Sequence, residues 1–336
     1  MGIKLLGAGK YLPEKVVSNY DFEKIVQTSD EWIVKRTGIQ KRHFSCGEYT
    51  TQMGYKAALK ALESADVKAE QIDLIIVSSV SSDFLFPSIS NILQGKLGAC
   101  NAIAIDISCA CSGFLYALDM ANRYITSSDD IKTVLIICAE NMTNLVDYSD
   151  RSTCVLFGDG AGAVVVQKSL NKVFSVLKTD GQYAGLIYSK IGRPRNCFTN
   201  YQELKQNRAE FCSNFFDDGV ENYMFMDGRN VYKLAIEKMV EVLQLACTKA
   251  NLHINDLKYL IPHQANARII ERVVQKSGID KDKVYVNIAN VGNISSACIP
   301  VCLAQLFDVG KLKSGDKIGL VSFGAGLIYG ALIFTV

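Results

Sequence analysis

The 336-residue sequence lacks a charge excess of either sign: 36 lysines and arginines face 34 acidic residues, a formal net charge of +2. A general nucleic-acid or membrane-surface binder needs a large basic surplus, so the balance excludes both. Also lacking is any apolar run near the ~18 residues that cross a bilayer; residues 74–77 and 134–139 are strand-sized. No basic-then-apolar leader opens the chain, because Gly2-Ile3-Lys4-Leu5-Leu6 already reads as a first strand. The expected setting is the cytoplasm, or a plastid stroma after loss of a transit peptide. Histidine is scarce, and His43, His253 and His263 supply no cluster at ligand spacing, so no metal is expected. Cysteine is the exception to this scarcity. Eleven of them, an odd number scattered through a long chain, argue for reduced thiols in the core rather than a disulfide scaffold.

What is present is material for a large core. Apolar residues make up 49% of the chain and charged residues 21%, enough for two domains or one large α/β unit. Strand-like and helix-like segments alternate. Residues 72–79 and 134–139 are short Val/Ile-rich runs, the mark of strands buried on both faces. Between them, Phe114, Leu115, Leu118 and Ala121 recur at helical spacing over 112–124. The stretches Asn19-Tyr20-Asp21-Phe22-Glu23 and Thr28-Ser29-Asp30-Glu31 read as capped helix starts. Such alternation predicts parallel or mixed sheet covered by helices, an α/β fold.

A faint internal echo divides the chain near residue 170. Residues 70–77 match 254–261 as polar turn then apolar strand, and 158–166 match 324–336 as glycine-rich turn then strand. Two similar halves, 1–170 and 171–336, would account for both. The polar segment 192–223, with Arg193, Pro194 and Arg195, fits neither half and reads as an insertion: a lid, a binding loop or a mobile excursion.

Three segments carry chemistry. In Asp106-Ile107-Ser108-Cys109-Ala110-Cys111-Ser112-Gly113-Phe114 a strand ends, small residues turn, and a helix begins with Cys111 at its entrance. Free backbone N–H groups and the helix dipole there are expected to lower the thiol pKa and favour a nucleophilic thiolate. Buried packing, or half of a metal site, would be the plainer reading of Cys109 and Cys111. In Leu260-Ile261-Pro262-His263-Gln264-Ala265-Asn266, Pro262 ends a strand and sets His263 at its carboxyl edge, where open α/β sheets place their sites. Asn290-Val291-Gly292-Asn293-Ile294-Ser295 reads as strand, glycine turn and helix start, with Asn293 in the turn. A fourth segment, Ser322-Phe323-Gly324-Ala325-Gly326, is a small-residue turn whose amides could face an oxyanion.

Together with Gly7-Ala8-Gly9-Lys10-Tyr11-Leu12-Pro13, Arg36-Thr37-Gly38-Ile39, Asp150-Arg151 and Phe157-Gly158-Asp159-Gly160, these segments strongly resemble the β-ketoacyl-acyl carrier protein synthase III family. These are the initiating condensing enzymes of type II fatty-acid synthesis, in the thiolase superfamily. The resemblance implies a thiolase-like fold of two similar α/β halves in a layered αβαβα core. It implies that Cys111 is acylated by acetyl-CoA or another short acyl-CoA. His263 and Asn293 then stabilise the enolate formed as malonyl-acyl carrier protein loses carbon dioxide, giving acetoacetyl-acyl carrier protein.

By the same resemblance, amides of Cys111 and of Phe323, Gly324, Ala325 and Gly326 hold the oxyanion. Trp32 and Arg151 sandwich the adenine of coenzyme A, with Thr28, Arg36 and Thr37 nearby and Gly228 and Asn266 along the pantetheine arm. Phe86 and Phe157 belong to the acyl pocket, Phe86 reaching across a homodimer. Lys233, Gln264, Arg268, Arg272 and Lys276 face the carrier protein. No cofactor is implied, coenzyme A being part of the substrate. The other readings are a different superfamily condenser (a hydroxymethylglutaryl-CoA, polyketide-starter or long-chain synthase), a silent partner subunit, and a cysteine hydrolase. No glutamate lies in the small-residue stretch before Cys111 as the first would require, and a silent subunit typically loses its nucleophile.

Overall fold

The computed structural model describes residues 1–190 and 223–336. The insertion expected at 192–223 therefore lies outside the described residues, except for Tyr223. The strands are β1 (Gly2–Tyr11), β2 (Lys15–Ser18), β3 (Lys41–Phe44), β4 (Leu74–Ser78), β5 (Ile103–Ile107), β6 (Thr133–Asn141) and β7 (Asp159–Ser169), then β8 (Phe174–Thr179), β9 (Ile187–Tyr188), β10 (Phe225–Met226), β11 (Tyr259–Pro262), β12 (Lys317–Gly324) and β13 (Ile328–Thr335). Two main sheets result, ordered β1-β7-β6-β4-β5 and β11-β12-β13-β8.

Period-2 alternation explains the layering. Leu74 and Ile76 of β4 and Val134 and Ile136 of β6 point into a cluster with Phe114, Leu115, Leu118 and Ala121 from the helix Gly113–Ser127. Their neighbours Ile75, Val77, Leu135 and Ile137 point the other way, onto the helices Thr50–Ala65 and Ile89–Leu97. In the second sheet, Ile318, Leu320, Leu332 and Phe334 join the first cluster with the helix Cys298–Asp308. Val321, Phe323, Ala331 and Ile333 face the helices Gly228–Ala250 and Ala267–Ser277. Helices thus cover both outer faces, and the two largely apolar helices Gly113–Ser127 and Cys298–Asp308 fill the layer between the sheets. Strands buried on both faces are apolar along most of their length, as β4 and β6 are up to the polar residues at their ends. The layers run αβαβα.

The two sheets share one strand order. Counting within each half, β1-β7-β6-β4-β5 is first, fifth, fourth, second, third; β8-β13-β12-β11 repeats first, fifth, fourth, second. Val284 makes an isolated parallel bridge to Leu260, taking beside β11 the place β5 takes beside β4. Directions match too: β4 is parallel to β6 and β11 to β12, while β7 and β13 run antiparallel to both of their neighbours.

Asn290 and Val291, expected as strand, fall instead in a short helix, Ile288–Val291. Gln264 Oε1 captures the N–H groups of Asn287 and Ile288, which start the turn, and Gly292 ends it at φ 71°. Among the described residues no helix is long and apolar enough to cross a membrane, and no His, Cys, Asp and Glu group could hold a metal ion.

Candidate active site

Cys111 lies in the turn Ala110–Ser112, directly before the helix Gly113–Ser127. The turn is tight and strained: Ala110 has φ 44°, a left-handed conformation seldom tolerated outside functional turns. Gly113 is required there, since a Cβ would stand 1.9 Å from Ser78 Oγ. The second sheet clamps the turn. Ser322 Oγ donates to the Cys111 carbonyl at 2.9 Å, and Ser112 Oγ donates to the Ile328 carbonyl at 3.0 Å. A Cβ on Gly324 would come within 2.8 Å of the Cys111 amide nitrogen, so glycine alone lets that strand end lie against the nucleophile turn. Phe323 and Gly324 are buried, Ala325 and Gly326 partly exposed, and only Gly326 of the four has positive φ.

The thiol departs from the expected lowered pKa. Burial, with the nearby Glu140 carboxylate adding to it, pushes Cys111 up to about 12, against an opposing contribution from Ser295. A helix terminus is worth about 0.3–1 kcal/mol, below one pKa unit, and cannot outweigh such desolvation. The resting group is a thiol.

His263 follows β11 at once, its N–H donating to the Val321 carbonyl at 2.8 Å and continuing the ladder past Pro262. Pro262 is tolerated as the last residue of the strand, on the outer side of the sheet. The imidazole is 2% exposed, Nδ1 has no partner among the described residues, and burial depresses the pKa to about 3. It is a neutral ring at physiological pH.

Asn293 is held by its backbone: its N–H donates to the Leu156 carbonyl at 2.9 Å, and its carbonyl accepts from Gly158 N–H at 3.0 Å, bridging it to Phe157. Its Oδ1 accepts from Ser295 N–H at 2.9 Å and lies 3.7 Å from Cys298 Sγ. Both ties fall on the oxygen. The Nδ2 donors are left without a protein partner among the described residues and are free for a ligand.

A chain of contacts brings the three turns together. Val321, which holds His263, adjoins Ser322, which holds Cys111. Cys298 Sγ lies 4.0 Å from the Gln264 carbonyl, next to His263, and reaches Asn293 from its other side. The Cys111 turn and the turn Ser295–Ala297 pack directly on each other.

The remaining residues divide. The Trp32 ring has the Arg151 guanidinium 5.0 Å and the Arg36 guanidinium 5.8 Å from its centroid. The Thr28 hydroxyl, next to the Gln27 carbonyl that Arg151 holds, is buried with no hydrogen-bond partner among the described residues. Gly228 starts its helix facing open space. Asn266 caps the helix Ala267–Ser277 and donates to the Arg36 carbonyl at 3.1 Å, joining the Trp32 helix to the basic one. On that helix Arg268, Arg272 and Lys276 are exposed while Ile269, Ile270 and Val273 are buried; Lys233 is exposed on the neighbouring helix, where Arg268 sits over the Tyr232 ring.

Two assignments are corrected. Gln264 does not face a carrier protein: it is fully buried and spends its amide on Pro262, Tyr285, Asn287 and Ile288. Thr37 does not reach coenzyme A: it is 3% exposed, donating to the Ile33 carbonyl and accepting from Ile39 N–H. Phe157 is buried among Phe22, Ile33, Met142 and Ile288, whereas Phe86 is 84% exposed and closes nothing in its own chain. Sequence reasoning missed Glu140, Ser295 and Cys298. For Glu140 the signal was available, an acid closing the apolar run of β6.

Family models described as 3-oxoacyl-[acyl-carrier-protein (ACP)] synthase III and its C terminal match residues 105–183 and 247–336. A β-ketoacyl-[acyl-carrier-protein] synthase III of Clostridium tetani is 43% identical over 332 residues, 98% of this chain and 97% of the relative. The crystal structure of a 3-oxoacyl-[acyl-carrier-protein] synthase III from Aquifex aeolicus superposes with a TM-score of 0.88 at 40% identity, covering 100% of both chains. The priming β-ketosynthase of the R1128 polyketide pathway gives 0.87 at 32% identity, over 100% of this chain and 96% of that one.

Proposed function

The chain belongs to the β-ketoacyl-[acyl-carrier-protein] synthase III family, and on that premise we propose that it initiates fatty-acid synthesis by condensing a short acyl-CoA with malonyl-acyl carrier protein through Cys111, His263 and Asn293. In the first half-reaction the Cys111 sulfur takes the acyl group of acetyl-CoA and coenzyme A leaves. In the second, the malonyl thioester loses carbon dioxide, and the resulting carbanion attacks the acyl carbon on Cys111 to give acetoacetyl-acyl carrier protein. Dividing the reaction at a thioester predicts ping-pong kinetics.

One observation carries this reading. A neutral buried imidazole, and an asparagine whose amide donors have no partner among the described residues, stand on turns linked to the nucleophile turn through Val321–Ser322 and Cys298. Enolate formation places negative charge on a thioester oxygen, and each well-aimed donor in a dry site is worth about 10²–10³ in rate. A carboxylate at either position would oppose that charge. Trp32, Arg151 and Arg36 suit an adenine ring between aromatic and guanidinium planes. The Arg268, Arg272, Lys276 and Lys233 face suits an acidic carrier protein.

We also infer a homodimer. Among the described residues strand β5 ends its sheet with one edge unpaired, and Leu85 and Phe86 stand 81% and 84% exposed nearby in sequence to β4. An open strand edge beside exposed apolar side chains needs covering, and a second copy provides it. The halves 1–170 and 171–336 are proposed as internal duplicates, which their common strand order supports. The proposed setting is the cytoplasm. Assaying acetyl-, branched- and medium-chain acyl-CoA with malonyl-acyl carrier protein tests the function: the reading expects carbon dioxide release coupled to a β-ketoacyl-carrier product, and acyl-CoA hydrolysis without condensation would contradict it.

A further inference from the structure

A buried side-chain amide must satisfy two N–H donors and an acceptor oxygen, and fully buried Gln264 does so on two separate segments. Its Nε2 donates to the Pro262 carbonyl at 2.7 Å and to the Tyr285 carbonyl at 3.4 Å. Its Oε1 accepts from Asn287 N–H at 3.0 Å and from Ile288 N–H at 3.2 Å. The Pro262 carbonyl belongs to the peptide that carries His263, whose own N–H donates to the Val321 carbonyl at 2.8 Å. Both polar groups of that peptide are therefore held. At the other end of the amide, Asn287 and Ile288 start the helix Ile288–Val291, which Gly292 joins directly to Asn293. One side chain ties the histidine backbone to the turn that delivers the asparagine.

Cys298 makes a second link between the same two segments. Its buried Sγ accepts from Ile294 N–H at 3.3 Å and lies 3.7 Å from Asn293 Oδ1 and 4.0 Å from the Gln264 carbonyl. A thiol has one proton to give, and Asn293 Oδ1 is the nearer acceptor. With Ser295 N–H on the same oxygen, the amide is turned so that Nδ2 faces the site. His263 Nδ1 has no partner among the described residues, so on that side the ring takes its position from its backbone. The Cys111 turn is held by other contacts, from Ser322 and Ser112.

We propose that Gln264 and Cys298 are positioning residues that set the spacing of His263 and Asn293 for decarboxylation. Gln264 fixes the two backbones relative to each other, and Cys298 fixes the rotation of the Asn293 amide. Both act through the histidine and the asparagine rather than on the substrate. Acylation of Cys111 does not depend on this bridge, because its turn is clamped independently. The inference deepens the reading of His263 and Asn293 as the pair that stabilises the enolate, and rests on it.

The test measures two rates on the full-length protein: acetyl transfer from acetyl-CoA to Cys111, and carbon dioxide release from malonyl-acyl carrier protein. Gln264→Met keeps the length of the side chain and removes its polar end. It is expected to lower kcat for carbon dioxide release ~10–100-fold, the cost of a donor misplaced by up to about 1 Å. KM for malonyl-acyl carrier protein and the acetyl-transfer rate should stay within ~3-fold of wild type, the mark of an interaction made in one transition state only. Cys298→Ala should lower release ~2–10-fold, the range of one neutral hydrogen bond, and Cys298→Ser, which keeps a donor, should restore it. A role confined to packing predicts that Gln264→Met loses both half-reactions in the same proportion, and that result overturns the bridge. If Gln264→Met does not fold, the Cys298 pair decides: a wild-type release rate in Cys298→Ala, or no recovery in Cys298→Ser, overturns it. Wild-type protein that releases no carbon dioxide would defeat the condensing reading itself, whereas failure of the bridge alone leaves wild-type turnover intact.

Discussion

The backbone N–H of Ser295 donates to Oδ1 of Asn293 at 2.9 Å, which fixes which end of that amide faces the site. The oxygen is tied inward, with Cys298 Sγ on it as well, and the two N–H donors point away. Asn293→Asp keeps the tied oxygen and puts a second, charged oxygen where the donors were. Malonyl decarboxylation is expected to fall at least ~100-fold while Cys111 acylation changes only a few-fold. Measuring both half-reactions separately checks this; equal losses would contradict the division of labour.

His263 yields a prediction in pH. Its pKa falls from about 6.5 in the unfolded chain to about 3 in the fold, because burial opposes the charged ring. Below about pH 6.5 the unfolded state therefore binds a proton that the native state refuses. Stability contributed by the neutral ring is full above that value and is lost as pH falls, by up to about 1.4 kcal/mol per pH unit. Urea melts at pH 7 and pH 5 should show this difference in the wild type and its reduction in His263→Asn. Decarboxylation should show no imidazole titration between pH 5 and 8.

The basic helix face can be tested without disturbing the core, since Arg268 and Arg272 are exposed while Ile269, Ile270 and Val273 carry the packing. Reversing both charges to Glu should weaken carrier-protein binding strongly at low salt and little at high salt, with acylation by acetyl-CoA unchanged. Surface plasmon resonance at two ionic strengths reads this directly.

Gly113 tests the geometry of the turn. Its missing Cβ leaves room for Ser78 Oγ, 1.9 Å from where that carbon would stand. Gly113→Ala should cost about 1–3 kcal/mol in thermal or urea unfolding and reduce acylation with it.

Much of this was legible because it depends on local pattern. Apolar runs marked β4 and β6, the spacing of Phe114, Leu115, Leu118 and Ala121 marked the middle-layer helix, and Ser18 and Ser29 cap the helices their neighbours announced. Small residues around Cys111 foretold the tight turn. What escaped depends on contacts distant in sequence. Gln264 reads as an outward residue until its amide is seen to start the 288–291 turn, 24 positions on. Thr37 looks like a ligand contact until its hydroxyl is seen closing its own helix. The thiol pKa went the wrong way because a helix end is visible in sequence, whereas burial beside Glu140 is not.

The most direct test is transfer of label from radiolabelled acetyl-CoA to the protein, followed by peptide mapping. The account predicts stoichiometric label on Cys111, its loss in Cys111→Ala, and its discharge into acetoacetyl-acyl carrier protein on adding malonyl-acyl carrier protein. Label retained in Cys111→Ala, or carried by any other cysteine, would contradict it.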